Sequence, residues 1–180
     1  MQTTYEAFGM RNFQYIPDIA KDLFSKNYLL RKKAREELVE IGEPCLDVLI
    51  EMANSKAETV RWEAMVTIVQ IGSEASLDVL LNALEDEEFS IRWLAAEGLI
   101  NLGKYTLEPL LRALMANSQS TFIRRGAHHI LYELNKKGLF KDEYNLIDSL
   151  ADEFDHTNID LKIKKTLDFL SDTHLKIKSH

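Results

Sequence analysis

The residues equipped for chemistry in this chain of 180 residues are few and scattered. The single cysteine, Cys45, opens a predicted helix, where the helix dipole lowers a thiol pKa. No histidine adjoins it, and a buried, inert thiol is the simpler expectation. His128 and His129 are consecutive on one predicted helix and point about 100° apart, so they do not easily share one metal. His129 and Glu133 have the i, i+4 spacing of a ligand pair. A metal there would need a further ligand from another helix, and a surface pair is the expectation. The chain contains no Gly-rich phosphate loop, no G-x-S-x-G and no H-E-x-x-H. What recurs is of another kind: four arginines, two tryptophans and a series of glutamates. These are residues that bind and position, so no catalytic residue, metal or cofactor is assigned.

The arginines stand at regular intervals. Arg31, Arg61, Arg92 and Arg124 are 30, 31 and 32 residues apart. Around them lie near-copies of one segment: VRWEAMVTIVQIG at 60–72, IRWLAAEGLINLG at 91–103, LRKKAREELVEIG at 30–42 and IRRGAHHILYELN at 123–135. Self-similarity at such a period marks a solenoid. Each copy predicts a helix closed by Gly42, Gly72 or Gly103, or at the fourth copy by Asn135, which tolerates a left-handed backbone. Between the copies lie shorter helices: Ile16 to Phe24, then one begun by Pro44 and carrying Leu46, Leu49 and Ile50, then Leu77–Leu84 and Leu107–Met115. After Asn135 the pattern loosens. A further pair is expected, with Asp160 where the arginine would stand and Ile163, Leu167 and Leu170 as its buried face.

Composition sets outer limits. Hydrophobic residues make up 46% of the chain, ordinary for a domain with a continuous core. The 7 glycines and 3 prolines leave little room for hairpins or linkers. No apolar run is long enough to span a membrane, and the first residues lack the basic and apolar regions of a signal peptide. One cysteine precludes an internal disulfide and fits a reducing cytoplasm. A net charge of −7 argues against nucleic acid as partner.

The tandem pattern of [VIL]-R-x-x-A, an apolar pair, [IL]-G and a Leu-rich helix resembles HEAT-like repeats, in particular the short variety of the phycobilisome lyase group. The resemblance covers roughly residues 16 to 170. It implies an all-α fold, a right-handed α-α superhelix of about five helix pairs whose second helices line the concave surface. On this reading residues 1–15 form an N-terminal cap. Residues 16–171 form one repeat domain, with repeats at about 16–42, 43–72, 73–103, 104–135 and 136–171, and 172–180 is a frayed tail.

Projection at 100° per residue assigns faces to each arginine helix. Positions −1, +3, +7 and +10 from the arginine form the stripe against the partner helix: Val60, Ala64, Ile68 and Ile71, then Ile91, Ala95, Leu99 and Leu102. The arginines beside this stripe are expected to bind carboxylates or helix-end carbonyls of an adjacent repeat, with Glu58, Asp86, Glu87 and Glu88 as candidates. Positions +1, +4 and +8, which include Trp62 and Trp93, are expected to contact the neighbouring repeat, or to stand as a partly exposed aromatic ladder. Positions +2, +5 and +9 are expected to face solvent. They include Glu36, Glu40, Glu63, Val66, Gln70, Leu94, Glu97, Asn101, His129 and Glu133, which would form an acidic concave groove.

These residues favour a non-catalytic scaffold. The groove, with Trp62, Trp93 and Leu94 at its centre, would hold another protein by a basic or amphipathic segment. The alternative implied by the resemblance is a lyase-like enzyme or enzyme subunit that attaches bilins to, or detaches them from, phycobiliprotein cysteines. HEAT-like di-iron hydroxylases use repeated His-Glu dipeptides, which this chain lacks. HEAT-like DNA-repair glycosylases need a cationic groove.

Overall fold

The computed structural model describes residues 15–151 and 158–178, with side chains described as far as residue 172. Ten α-helices occur among the described residues. They are α1 (Ile16–Asp22), α2 (Tyr28–Ile41), α3 (Leu46–Ala53), α4 (Glu58–Ile71) and α5 (Leu77–Ala83). Then follow α6 (Phe89–Leu102), α7 (Leu107–Ala116), α8 (Thr121–Lys136), α9 (Leu146–Ala151) and α10 (Ile159–Lys178). The arginine helices are α2, α4, α6 and α8.

Local chemistry sets the helix ends. Asn27 accepts from the Leu29 N–H at 2.9 Å and so caps α2. Gly72 closes α4 in the left-handed conformation, φ 65°, which its missing Cβ permits. The fourth arginine helix ends differently from expectation. It runs past Asn135, whose side chain donates to the Phe140 carbonyl at 3.0 Å, and the positive φ of 71° falls on Gly138. Pro44 lies in a short 3₁₀ turn, Glu43–Cys45, ahead of α3; similar turns precede α5 and α7.

The buried stripe is where the periodicity puts it. Ala64, Ile68, Ala95 and Leu99 are completely buried, and Ile123, Ala127, Leu131 and Leu134 repeat the stripe in α8. The helices form two layers. Each arginine helix packs on the short helix of its own repeat and on the arginine helices before and after it, in the row α2–α4–α6–α8. The short helices α1, α3, α5 and α7 form the other layer. This is an all-α, HEAT-like superhelix.

The last pair departs from the simple stack. α9 packs on α8 and so continues the arginine-helix row, while α10 packs on α7 and joins the other layer. The pair is exchanged relative to the repeats before it. Asp160 therefore does not take an arginine's place in the row. Ile163 is buried and Leu167 and Leu170 pack on the core, as their spacing predicts. α10 continues beyond Asp172 to Lys178, where a frayed tail was expected. The expected cap at 1–15 lies outside the described residues apart from Tyr15, which is exposed.

Candidate functional site

The repeat arginines tie each repeat to its neighbours. Arg31 donates through Nε to Glu63 Oε1 at 2.6 Å and through Nη1 to the Ser25 carbonyl at 2.7 Å. Arg35 donates to the other oxygen of Glu63. Arg61 makes a two-pronged bond to Asp86 (2.8 and 3.1 Å), a third bond to Glu87 (3.2 Å), and bonds to the Ser55 and Lys56 carbonyls. The Asp86 bond raises the Arg61 pKa further above its usual value. Arg92 donates to the carbonyls of Asp86 (2.7 Å) and Glu87 (2.9 Å), and its guanidinium lies 4.1 Å from the Phe122 ring centre. Arg124 is buried. Asp86 and Glu87, both candidates from sequence, are the carboxylates that Arg61 uses.

The expected acidic groove does not form as a continuous surface. Glu63, assigned to solvent, is buried to 5% exposure between Arg31 and Arg35. The physical reason is the row itself. Each inner helix is flanked on both sides, so the +2 position faces the preceding arginine helix rather than water. Glu97 meets His129 Nε2 at 3.1 Å across the α6–α8 junction. Glu36 lies 3.7 Å from Lys32 and Glu133 lies 3.6 Å from Lys136, each on its own helix. Glu40, Gln70 and Asn101 are exposed; Val66 and Leu94 are half-buried, and Leu94 packs on the core.

Both tryptophans stand partly in the open: Trp62 is 37% exposed and Trp93 47%. Trp93 stacks on the His129 ring with centres 4.7 Å apart and 25° between planes. Around it gather Phe89 from the first turn of α6 and Phe122 from the first turn of α8, both exposed. Together with Leu84, Arg92, Ala96, Arg125 and Gly126 they line a pocket of about 160 Å³. Trp62 borders a second, larger pocket of about 540 Å³ with Leu23, Phe24, Lys26, Arg31 and Glu63 among its walls. The spacing of Ile16, Ile19, Ala20, Leu23 and Phe24 predicts one apolar helix face, but Phe24 is 53% exposed; Phe89 and Phe122 lie off the buried stripe and draw no assignment from the sequence. Large apolar residues at positions that the repeat leaves to solvent were the available signal.

Other reactive groups are subdued. Cys45 is completely buried, and burial pushes its thiol pKa up to about 11. His128 is held below the usual imidazole range, first by burial and then by the charge of His129, with Asp148 opposing. Among the described residues no three His, Cys, Asp or Glu side chains gather as a metal-binding group. Among the same residues no helix is long and apolar enough to cross a membrane.

Comparison with known proteins agrees with this geometry. The family model of HEAT repeats matches residues 16–99. A similar solved structure is that of the complex of CpcE and CpcF of phycocyanin lyase from Nostoc sp. PCC7120. The match has a TM-score of 0.56 and 24% identity, and it covers 85% of this chain and 98% of that one. No curated protein sequence matches the chain.

Proposed function

We propose that this HEAT-like repeat protein is a docking subunit, which holds a second protein across the open strip of its arginine-helix row. The observation that carries this reading is the set of exposed aromatics, Phe24, Trp62, Phe89, Trp93 and Phe122, contributed by four successive repeats. Exposed apolar surface of this kind is costly to leave in water, and aromatic anchors dominate the energy of protein interfaces. Glu36 and Glu97 are the strip's polar neighbours on the same helix row, and Glu40, Gln70, Asn101 and Glu133 continue that polar surface toward the helix C-termini. The repeat arginines hold the scaffold rigid behind it. The similar lyase chain is itself part of a two-protein complex, which supports a protein as partner here. The net charge of −7 disfavours nucleic acid, and the single buried cysteine suits the cytoplasm.

Photo-crosslinking tests the reading. Benzoylphenylalanine is placed at Phe89 on the strip or at Asp78 on the exposed side of α5, and cells are irradiated. A discrete protein adduct from position 89 and none from 78 is expected. Equal adducts from both positions, or adducts from 78 alone, would overturn it.

One observation favours a second reading, a subunit of a lyase acting on tetrapyrrole-bearing proteins. The flat Trp93–His129 stack beside Arg92 is a surface on which a conjugated ring system can lie. Free bilin added to the protein should then show a shifted absorbance band that Trp93→Ala abolishes. An unshifted spectrum removes this reading and leaves the docking subunit untouched.

A further inference from the structure

We propose that the pocket between α6 and α8 receives one aromatic side chain from an acidic segment of the partner protein. The inference rests on the docking reading above and names the chemistry of what docks. Size comes first. A cavity of about 150 Å³ lined by apolar side chains holds one benzene ring, and this pocket measures about 160 Å³. Leu84, Ala96 and Gly126 make its floor, and Phe89, Trp93 and Phe122 offer ring faces and edges for offset or edge-on packing. Gly126 keeps the floor open: a Cβ there would lie 3.1 Å from Leu84 Cδ2.

Charge decides the rest. Arg92 lines the pocket, and no carboxylate is among its lining residues; His129, also in the lining, is already met by Glu97 at 3.1 Å. The positive charge of Arg92 is met by two carbonyl dipoles and a ring face. These orient the guanidinium without neutralising it. The counterpart in the preceding repeat, Arg61, is neutralised by Asp86 and Glu87. A carboxylate beside the inserted ring would gain a charge-assisted bond at the pocket mouth, whereas a lysine or arginine would be repelled. The partner chemistry is thus the reverse of the basic segment that a row of glutamates suggests.

A displayed library of random twelve-residue peptides, selected on the whole protein, tests this without knowledge of the partner. The expected consensus places Phe, Tyr or Trp beside Asp or Glu. Affinity of a selected peptide, read by fluorescence anisotropy, should fall at least about tenfold in Trp93→Ala. It should fall severalfold in Phe89→Ala, a change at a 67% exposed side chain that keeps the test valid if the first variant folds poorly. Asp78→Ala on α5 should bind as wild type. A basic or charge-blind consensus overturns the proposal. Peptides that ignore both pocket variants but are lost in Trp62→Ala overturn the pocket and leave the docking strip standing. Failure to enrich any peptide also overturns the pocket, and the adduct at position 89 then decides separately whether docking itself fails.

Discussion

Trp62 and Trp93 occupy the same place in consecutive repeats, yet the junctions beside them are built differently. The register explains why. Asp86 lies six residues before Arg92, and the residue six before Arg124 is Ser118. Arg61 therefore finds a carboxylate in the next repeat, while Arg92 finds carbonyls and the face of Phe122. Likewise the residue five after Arg92 is Glu97, and five after Arg124 is His129. Trp93 thus gains a ring to stack on, and in the same register Trp62 has a carboxylate. One junction is closed by buried ion pairs; the other carries the Trp93–His129 stack, a screened Glu97–His129 pair and an arginine held by carbonyls. A repeat motif fixes the frame, and the variable residue that meets it from the next repeat decides whether the junction holds the stack or binds something.

The sharpest way to break this comparison is at Glu63, the hidden anchor of the α2–α4 junction on the other flank of the Trp62 helix, which is also closed by ion pairs. Glu63→Gln leaves Arg31 and Arg35 without their shared carboxylate in a site where its side chain is only 6% exposed. Breaking a buried pair from one side costs roughly 3–5 kcal/mol, and the partial exposure of Arg31 places this case near about 3 kcal/mol. Urea denaturation measures it. A loss under about 1 kcal/mol would mean that the junction is packed by apolar contacts and the ion pairs are incidental.

Two glycines compare the junctions directly. A Cβ on Gly98 would lie 2.9 Å from Val69 Cγ2 and 3.0 and 3.2 Å from the Leu80 methyls, in a closed interface. Gly98→Ala should destabilise by about 1 kcal/mol, since overpacking outweighs the gain in helix propensity. Gly126 faces Leu84 at the pocket, where a Cβ would crowd one methyl at 3.1 Å and meet the other at an ordinary 3.6 Å. Gly126→Ala should therefore be neutral or stabilising by about 0.5 kcal/mol, while narrowing the pocket. Thermal melts of the two variants should move in opposite directions, and parallel losses would contradict the open junction.

Much of this was legible in the sequence. The period, the glycine stops and the alternation of Val60, Ala64 and Ile68 specify a stack, because each repeat can bury its stripe only against a partner helix. Asp86 and Glu87 were readable as arginine partners for the same reason: they sit just ahead of the next helix. Glu63 was not readable. Projection of a lone helix yields one buried face, and only the row shows that its flanks are covered too. The exchange of α9 and α10 left no trace, since apolar spacing gives a helix its buried side but not its layer. Phe89 and Phe122 lie outside the periodic stripe and so carried no assignment in sequence, and the structure shows them as walls of one pocket.

Protonation gives a smaller handle on the C-terminal side of the open junction. His128 has its pKa lowered by burial first and by His129 second, with Asp148 opposing. Its folded pKa lies below the unfolded value near 6.5, so the unfolded chain takes up the proton first. Stability from this residue is complete above about pH 6.5 and declines as pH falls from there toward the folded pKa. His128→Gln should flatten the fall of the melting temperature as pH drops below about 6.5, relative to wild type. An unchanged slope would show that His128 is solvated and that the α8–α9 contact is loose.

The smallest effect belongs to Glu97, and its smallness is the point. Glu97 and His129 meet at 3.1 Å, but their side chains are 40% and 29% exposed, so water and salt screen the pair. Glu97→Gln should cost under about 0.5 kcal/mol, where the same change at Glu63 costs several times more. A double-mutant cycle with His129→Gln separates the pair from its surroundings. Coupling near zero means that the bond positions the His129 ring under Trp93 without holding the repeats together, which suits a surface kept open for a partner. Coupling above about 1.5 kcal/mol would make the pair a second structural clamp. The α6–α8 junction would then be closed in the manner of α2–α4, and the contrast between the two tryptophans would lose its basis.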